Sequence, residues 1–136
     1  LYEMEHGPRG GDEINIIKKG ANYGWPKQSY GKEYTWFSDV GKKVVKGTEG
    51  PLKFYVPSIA PSGLVFYKGE RYSKLKGNLI SGALAKTHLN SFNPKTKVEK
   101  RYFEKKGERI RAVSVSADDY LYISSDAGTI YRVEGI

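Results

Sequence analysis

Cysteine is absent from this chain of 136 residues. The absence excludes disulfides, thiolate metal sites and cysteine nucleophiles. No apolar run approaches the ~18 residues that a membrane-spanning helix needs, and no signal peptide is visible at Leu1. No segment shows the sustained periodicity of an amphipathic helix, so we expect β-structure.

Positive charge is in excess, but it is not concentrated. The chain has 23 Lys and Arg against 15 Asp and Glu, for a formal net charge of +8. This balance favours acidic partners such as nucleic acid, anionic lipid or a polycarboxylate. The basic residues occur singly or in pairs, with no run of five or six. We therefore expect a solvated basic surface and no nucleic-acid partner, with a nucleic-acid-binding β-domain as the less favoured alternative.

Short β-strands account for most of the chain after residue 52. Aromatic residues make up 13%, including eleven tyrosines, which is typical of sheets. Apolar or alternating segments follow one another at roughly 8–14 residues with turn residues between them, as in an all-β sandwich, barrel or propeller. The predicted strands cover 13–17, 63–67, 77–84, 87–92, 98–103, 110–116, 120–124 and 129–133.

Their grouping favours the propeller. Residues 63–104 contain four strands, the content of one blade, and 109–136 contain three, an incomplete last blade whose fourth strand comes from elsewhere. Residues 1–62 hold a Gly-rich turn, a strand and a long loop over about 22–51, a length typical of binding or lid segments. A closed propeller needs at least four blades, or roughly 160 residues. We therefore expect 1–136 to be a partial β-propeller domain of a longer protein, or one that closes by association.

A turn over residues 7–11 leads directly into the first predicted strand. Its glycines leave the backbone open to close approach, and Pro8 stiffens it. Carbonyls from such a turn, with Asp12 and Glu13, are the oxygen ligands that Ca²⁺ prefers. Asp12 and Glu13 point to opposite faces of a strand, so we expect them to serve two different environments. The alternative is a hairpin turn with solvated acids.

Two arginines begin a later strand. Alternation places Arg109 and Arg111 on one face, about 6.6 Å apart along the strand. Two guanidiniums on one face form a fork for a dianionic or tricarboxylate ligand. The alternative is a strand end whose arginines extend into solvent. Of the two histidines, His6 lies beside the Gly-rich turn and is placed to face a ligand, whereas His88 lies within a strand and is read as structural.

These segments together resemble the C-terminal part of soluble quinoprotein sugar dehydrogenases. The chain is similar to the glucose/sorbosone dehydrogenase family of six-bladed β-propellers, and most similar to its aldose sugar dehydrogenase branch. The resemblance is carried in order by residues 5–15, 20–26, 57–64, 82–84 and 109–111, with 120–122. It implies oxidation of the C1 hydroxyl of aldose sugars with pyrroloquinoline quinone (PQQ) and calcium, in a periplasmic or extracellular protein.

The resemblance also implies roles for individual residues. The carbonyls of Gly7 and Pro8 would bind the Ca²⁺ that polarises the quinone, with Asp12 behind them. Glu13 and the carbonyl of Tyr23 would match a second, structural Ca²⁺ site. The residues expected at the cofactor are Ser58 through its hydroxyl, Arg109 and Arg111 through their guanidiniums, and His6.

The chain departs from the family at several positions. The family's catalytic base is a histidine on an earlier blade with no counterpart here, so no catalytic residue is assigned, and neither histidine takes that role. Ala85 stands where a cofactor-binding lysine is common, with Lys86 one residue later, and Ala112 replaces an aspartate. We expect part of a quinoprotein oxidoreductase, with a non-catalytic calcium-binding propeller fragment or interaction module as the alternative. The expected partners are an aldose and either the missing N-terminal half or a second copy.

Overall fold

The protein is all-β in a computed structural model that describes all 136 residues. It has ten strands and two short 3₁₀ turns, and neither turn is long or apolar enough to cross a membrane. Every strand pair is antiparallel, which confirms the predicted fold class. The chain divides into two compact units, Leu1–Ala60 and Pro61–Ile136.

The first unit contains a three-stranded sheet. Its strands are β1 (Tyr2–Glu5), β2 (Asp12–Ile16) and β3 (Lys53–Tyr55), in that spatial order. The predicted strand over 13–17 corresponds to β2, displaced by one residue. The register places Glu5 opposite Glu13 and Glu3 opposite Asn15. These four polar side chains therefore share one face of the sheet.

A long loop joins β2 to β3 without regular secondary structure, as the sequence predicts. Gln28, 5% exposed, organises it from within. Its Oε1 accepts hydrogen bonds from the Val45 amide (2.9 Å) and the Thr48 hydroxyl (2.6 Å), and its Nε2 donates to the Glu49 carbonyl (3.2 Å). The tip over residues 32–39 is exposed throughout. These side-chain hydrogen bonds add to backbone bonds within the loop, such as that from the Ser29 amide to the Lys42 carbonyl at 3.1 Å.

The second unit contains two sheets formed by sequence-adjacent strands. One follows the order β4 (Pro61–Phe66), β5 (Leu79–Ala83), β6 (His88–Phe92), β7 (Glu99–Tyr102), the strand arrangement of a propeller blade. The other comprises β8 (Ile110–Val115), β9 (Leu121–Ser125) and β10 (Ile130–Arg132), with β9 in the middle. The seven strands predicted between 63 and 133 are confirmed. The 3₁₀ turns are Ser73–Leu75 and Glu104–Lys106.

The core of the second unit lies between its two sheets. It is formed by buried apolar and tyrosine side chains: Tyr67, Tyr72, Leu75, Ile80, Leu89, Ile110, Val113, Leu121, Ile123 and Val133. At Gly82 the strands approach closely, because a Cβ there would lie 2.3 Å from the Ile110 carbonyl oxygen. This contact brings the start of β8 beside the segment 82–84. A bulge between Ile110 and Ala112 interrupts the β8 register at Arg111.

Candidate functional site

The Gly-rich turn of the first unit folds tightly on itself. A Cβ at Gly7 would lie 2.3 Å from the Gly10 oxygen and 2.4 Å from the Gly11 oxygen, so only glycine fits. Gly10 and Gly11 have positive φ, which suits glycine. The Pro8 carbonyl accepts a hydrogen bond from the Lys32 amide at 3.1 Å. A carbonyl oxygen has two lone pairs, so this bond leaves one for a metal.

Asp12 holds this turn to the segment before β4. Its side chain is fully buried. Oδ1 accepts a hydrogen bond from the Gly7 amide (2.9 Å), and Oδ2 accepts from the Ser58 hydroxyl (2.6 Å) and the amides of Ile59 (2.8 Å) and Ala60 (2.9 Å). Both oxygens are thus occupied by protein donors, and the expected place of Asp12 behind the metal ligands stays a prediction. The hydroxyl hydrogen of Ser58 points to Asp12.

The oxygen chemistry of the turn fits a calcium ion held by carbonyls. No group of three or more His, Asp or Glu side chains has the geometry to hold a metal ion. A calcium site in the first unit would therefore depend on backbone oxygens, as the resemblance implies for Gly7 and Pro8. Backbone carbonyls are ordinary Ca²⁺ ligands. Asp12 fixes the conformation in which the turn presents them.

An acidic face lies on the opposite side of β2 from Asp12. Burial, the adjacent charge of Glu5 and a hydrogen bond with Glu5 together raise the pKa of Glu13 to about 7, against an opposing hydrogen bond from Asn15. The Asn15 Nδ2 donates to Glu3 (3.1 Å) and Glu5 (3.4 Å), while its buried Oδ1 has no hydrogen-bond partner. Burial also raises the pKa of Glu3. The two environments predicted for Asp12 and Glu13 are therefore present.

A cavity of about 170 Å³ adjoins both the turn and the acidic face. Its lining includes three of the predicted site residues, His6, Gly7 and Glu13. Tyr23 is not among the lining residues. The Tyr23 hydroxyl donates to the Ile16 carbonyl (2.8 Å) and accepts from the Lys18 amide (2.7 Å), which fastens the loop to the end of β2. Its proposed metal contact is through its carbonyl and stays a prediction.

In the second unit the two predicted arginines converge on a single carboxylate. Arg109 Nε donates to Asp126 Oδ2 at 2.7 Å, and Arg111 Nε donates to Asp126 Oδ1 at 2.8 Å. These hydrogen bonds, from Arg111 first and then Arg109, lower the pKa of Asp126. Arg109 Nη1 also reaches the Leu84 carbonyl at 3.3 Å. The two side chains do form a fork, and the fork is able to hold a carboxylate.

Three other residues considered in the sequence lie at the turn between β5 and β6 or at its end. Ala85 and Lys86 are exposed in the turn between β5 and β6. His88 is fully buried, with Nδ1 3.1 Å from the Lys86 carbonyl, and burial lowers its pKa. Its buried Nε2 has no hydrogen-bond partner. A buried, neutral imidazole bonded to a local carbonyl agrees with the structural role predicted for it.

Sequence reasoning missed Asp126 and the acidic partners of Glu13. Asp126 follows β9 and lies across from Arg109, whose carbonyl accepts a hydrogen bond from the Asp126 amide at 3.0 Å. Pairing the predicted strands of 110–116 and 120–124 as a hairpin would have indicated this position. Glu3 and Glu5 become neighbours of Asn15 and Glu13 only through the register of β1 with β2.

Comparison with known proteins gives consistent matches along almost the whole chain. A profile of the family described as glucose / sorbosone dehydrogenase matches residues 1–132. The aldose sugar dehydrogenase YliI of Escherichia coli strain K12 is 38% identical over 140 aligned residues, which cover 98% of this chain and 38% of that protein. The chain therefore spans about two fifths of the length of this relative.

Solved structures agree with the sequence comparison. A glucose dehydrogenase crystal structure superposes with a TM-score of 0.92 at 40% identity, covering 99% of this chain and 41% of that one. The PQQ-bound form of an aldose sugar dehydrogenase from Streptomyces coelicolor superposes with a TM-score of 0.69 at 22% identity, covering 96% of this chain and 37% of that one, which shows a shared fold. With the family profile covering nearly all residues, the chain belongs to the glucose/sorbosone dehydrogenase family.

Proposed function

We propose that this chain forms the calcium-turn and carboxylate-binding parts of a PQQ-dependent dehydrogenase that oxidises the C1 hydroxyl of aldoses. The observation that carries the proposal is the convergence of Arg109 and Arg111 on one carboxylate. Family membership supports the general activity, a sugar oxidoreductase. The cofactor, the metal and the reacting carbon are inferred from the resemblance and from the chemistry of these residues.

Each group of residues would have a separate task. When bound, PQQ would supply the two-electron acceptor and Ca²⁺ the Lewis acid that polarises it. The carbonyls of Gly7 and Pro8 would hold the metal, in a conformation fixed by Asp12. Arg109 and Arg111 would bind carboxylates of the cofactor. The base that takes the sugar's hydroxyl proton would come from a segment without a counterpart in this chain.

Cofactor binding tests the proposal most directly. PQQ and Ca²⁺ are added to the 136-residue chain, and the absorbance of bound quinone and aldose-dependent dye reduction are recorded. We expect a quinone spectrum that Arg111→Ala weakens by roughly tenfold in affinity, since a charge-assisted bond is lost. Arg101→Ala is the matched control, because Arg101 is an exposed arginine paired with Glu99 at 2.9 Å in β7. No quinone spectrum at saturating cofactor would refute the proposal for this chain.

The second candidate is a calcium-binding module without redox chemistry. It is favoured by the turn itself, which Asp12 and Lys32 hold in shape through contacts within the protein. Calorimetry with Ca²⁺, read together with the quinone spectrum, separates the two candidates. Calcium binding with no quinone spectrum supports the module, whereas binding of both supports the dehydrogenase.

A strand-donating partner is also proposed, either further chain of the same protein or a second copy. In the second unit β10 lies at the edge of its sheet, and Ile130 is 73% exposed. A cavity of about 240 Å³ beside it has apolar walls that include Phe103, Ile123 and Tyr131. Unpaired strand edges with apolar surroundings favour association. Light scattering that finds a stable monomer at high concentration would contradict association. We further expect a periplasmic or extracellular location from the resemblance.

A further inference from the structure

Asp126 makes contacts that the proposed cofactor role of the arginines does not itself require. Its two oxygens are divided between two cations, one oxygen to each Nε, at 2.7 and 2.8 Å. The Asp126 side chain is 30% exposed, whereas those of Arg109 and Arg111 are 51% and 54% exposed. The carboxylate is therefore the more covered partner, and the guanidiniums are the ones that solvent and ligands reach.

The geometry of these bonds leaves the arginines able to bind a second anion. A guanidinium has five N–H donors in a planar fork. Asp126 takes only the Nε hydrogen of each, and one further contact joins Arg109 Nη1 to the Leu84 carbonyl. The terminal nitrogens of Arg111 remain. Two positive charges against one negative charge also leave a net positive charge at the fork.

Without Asp126 the fork would lose its shape. Arg109 and Arg111 are exposed and of like charge, so without Asp126 Arg109 would keep only its contact with the Leu84 carbonyl and Arg111 would extend into solvent. A shared carboxylate cancels their repulsion and restricts their rotamers before a ligand arrives. Prior ordering of this kind reduces the entropy that binding must overcome.

We infer that Asp126 is a positioning residue that holds Arg109 and Arg111 as a preformed receptor for a ligand with two or more carboxylates. This inference rests on the proposed function for the identity of that ligand, PQQ. The opposing possibility is that Asp126 merely competes with the ligand as an internal counter-ion. The two possibilities predict opposite signs, because removing a competitor strengthens anion binding whereas removing a positioning group weakens it.

The matched control is an aspartate at the other end of the same hairpin. Asp118 lies in the turn between β8 and β9, where it bonds the Ser116 hydroxyl at 2.5 Å. Asp118→Asn and Asp126→Asn each remove one negative charge from the second unit. Any effect of overall charge is therefore common to both variants, and any effect of the fork belongs to Asp126→Asn alone.

Two measurements on the 136-residue chain test the inference. The first is the NMR signal of the arginine Nε–H groups, which needs no ligand. We expect two shifted, slowly exchanging signals in the wild type and in Asp118→Asn, and their loss in Asp126→Asn. The second is the affinity for PQQ and for benzene-1,3,5-tricarboxylate. We expect Asp126→Asn to weaken both by roughly tenfold and Asp118→Asn to weaken neither.

The outcomes separate this inference from the proposed function. Equal or tighter binding in Asp126→Asn than in the wild type would overturn the positioning role. Failure of the wild type to bind PQQ, with the tricarboxylate still bound and still weakened by Asp126→Asn, would refute the proposed function alone. Binding of neither compound by the wild type would overturn both.

Discussion

Replacing Asp12 by alanine should destabilise the first unit more than any other single change to a polar side chain there. The substitution leaves two backbone amides, those of Gly7 and Ile59, without their acceptor, whereas the Ala60 amide keeps the Ser58 hydroxyl at 3.1 Å. An unsatisfied buried donor costs about 1–3 kcal/mol. The Gly7 bond is only partly buried, so the lower half of that range applies to it. The total loss should be about 2–5 kcal/mol.

The assay is urea unfolding combined with amide hydrogen exchange. A loss of about 3 kcal/mol raises the population of opened molecules by more than roughly 100-fold, so the amides of Ile59 and Ala60 should exchange faster by that factor. Asp12→Asn should also be costly, since its amide nitrogen must face a donor on one side. Asp39→Asn, in the exposed tip of the long loop, is the control and should change stability by less than about 0.5 kcal/mol. A loss below about 1 kcal/mol for Asp12→Ala would refute the account of Asp12 as the residue that holds the turn.

Three further outcomes are expected. The pKa of Glu13 is raised from 4.5 to about 7, so the folded state favours the protonated carboxyl group. This contribution to the free energy of unfolding is complete below the unfolded pKa of 4.5 and is lost as the pH rises through 7. The urea midpoint should therefore fall between these two pH values, and it should fall less in Glu13→Gln. Gly82→Ala places a Cβ against the Ile110 oxygen and should cost about 1–3 kcal/mol by thermal unfolding, whereas Gly50→Ala, in open space, should be nearly neutral. Ile130→Lys puts a charge on the exposed edge strand and should reduce self-association in light scattering; an unchanged association would show that β10 is not the contact.

The strands of the second unit could be predicted because their signals are local. Alternating apolar residues bounded by Gly, Pro and Asn are typical of short strands, and the β4–β10 strands lie within a few residues of their predicted positions. The pair Arg109 and Arg111 followed from strand alternation alone. The division of Asp12 and Glu13 between two environments followed from the same rule.

The partners of these residues could not be predicted in this way. Asp126 is identified only once β8 and β9 are paired, and the acidic neighbours of Glu13 only once β1 is placed beside β2. The four donors on Asp12 come from segments about 5 and 46–48 residues away. Such contacts depend on the register of distant segments, which no local pattern encodes.

The long loop of the first unit has a consequence for engineering. Its order depends on the Gln28 amide and the residues that it contacts over 45–49, while the segment 32–39 is exposed throughout. Exposed loop tips accept inserted sequence far better than the hydrogen-bonded bases that support them. A reporter peptide or a surface-attachment tag should therefore be tolerated between residues 34 and 37, whereas the same insertion beside Gln28 would unfold the loop.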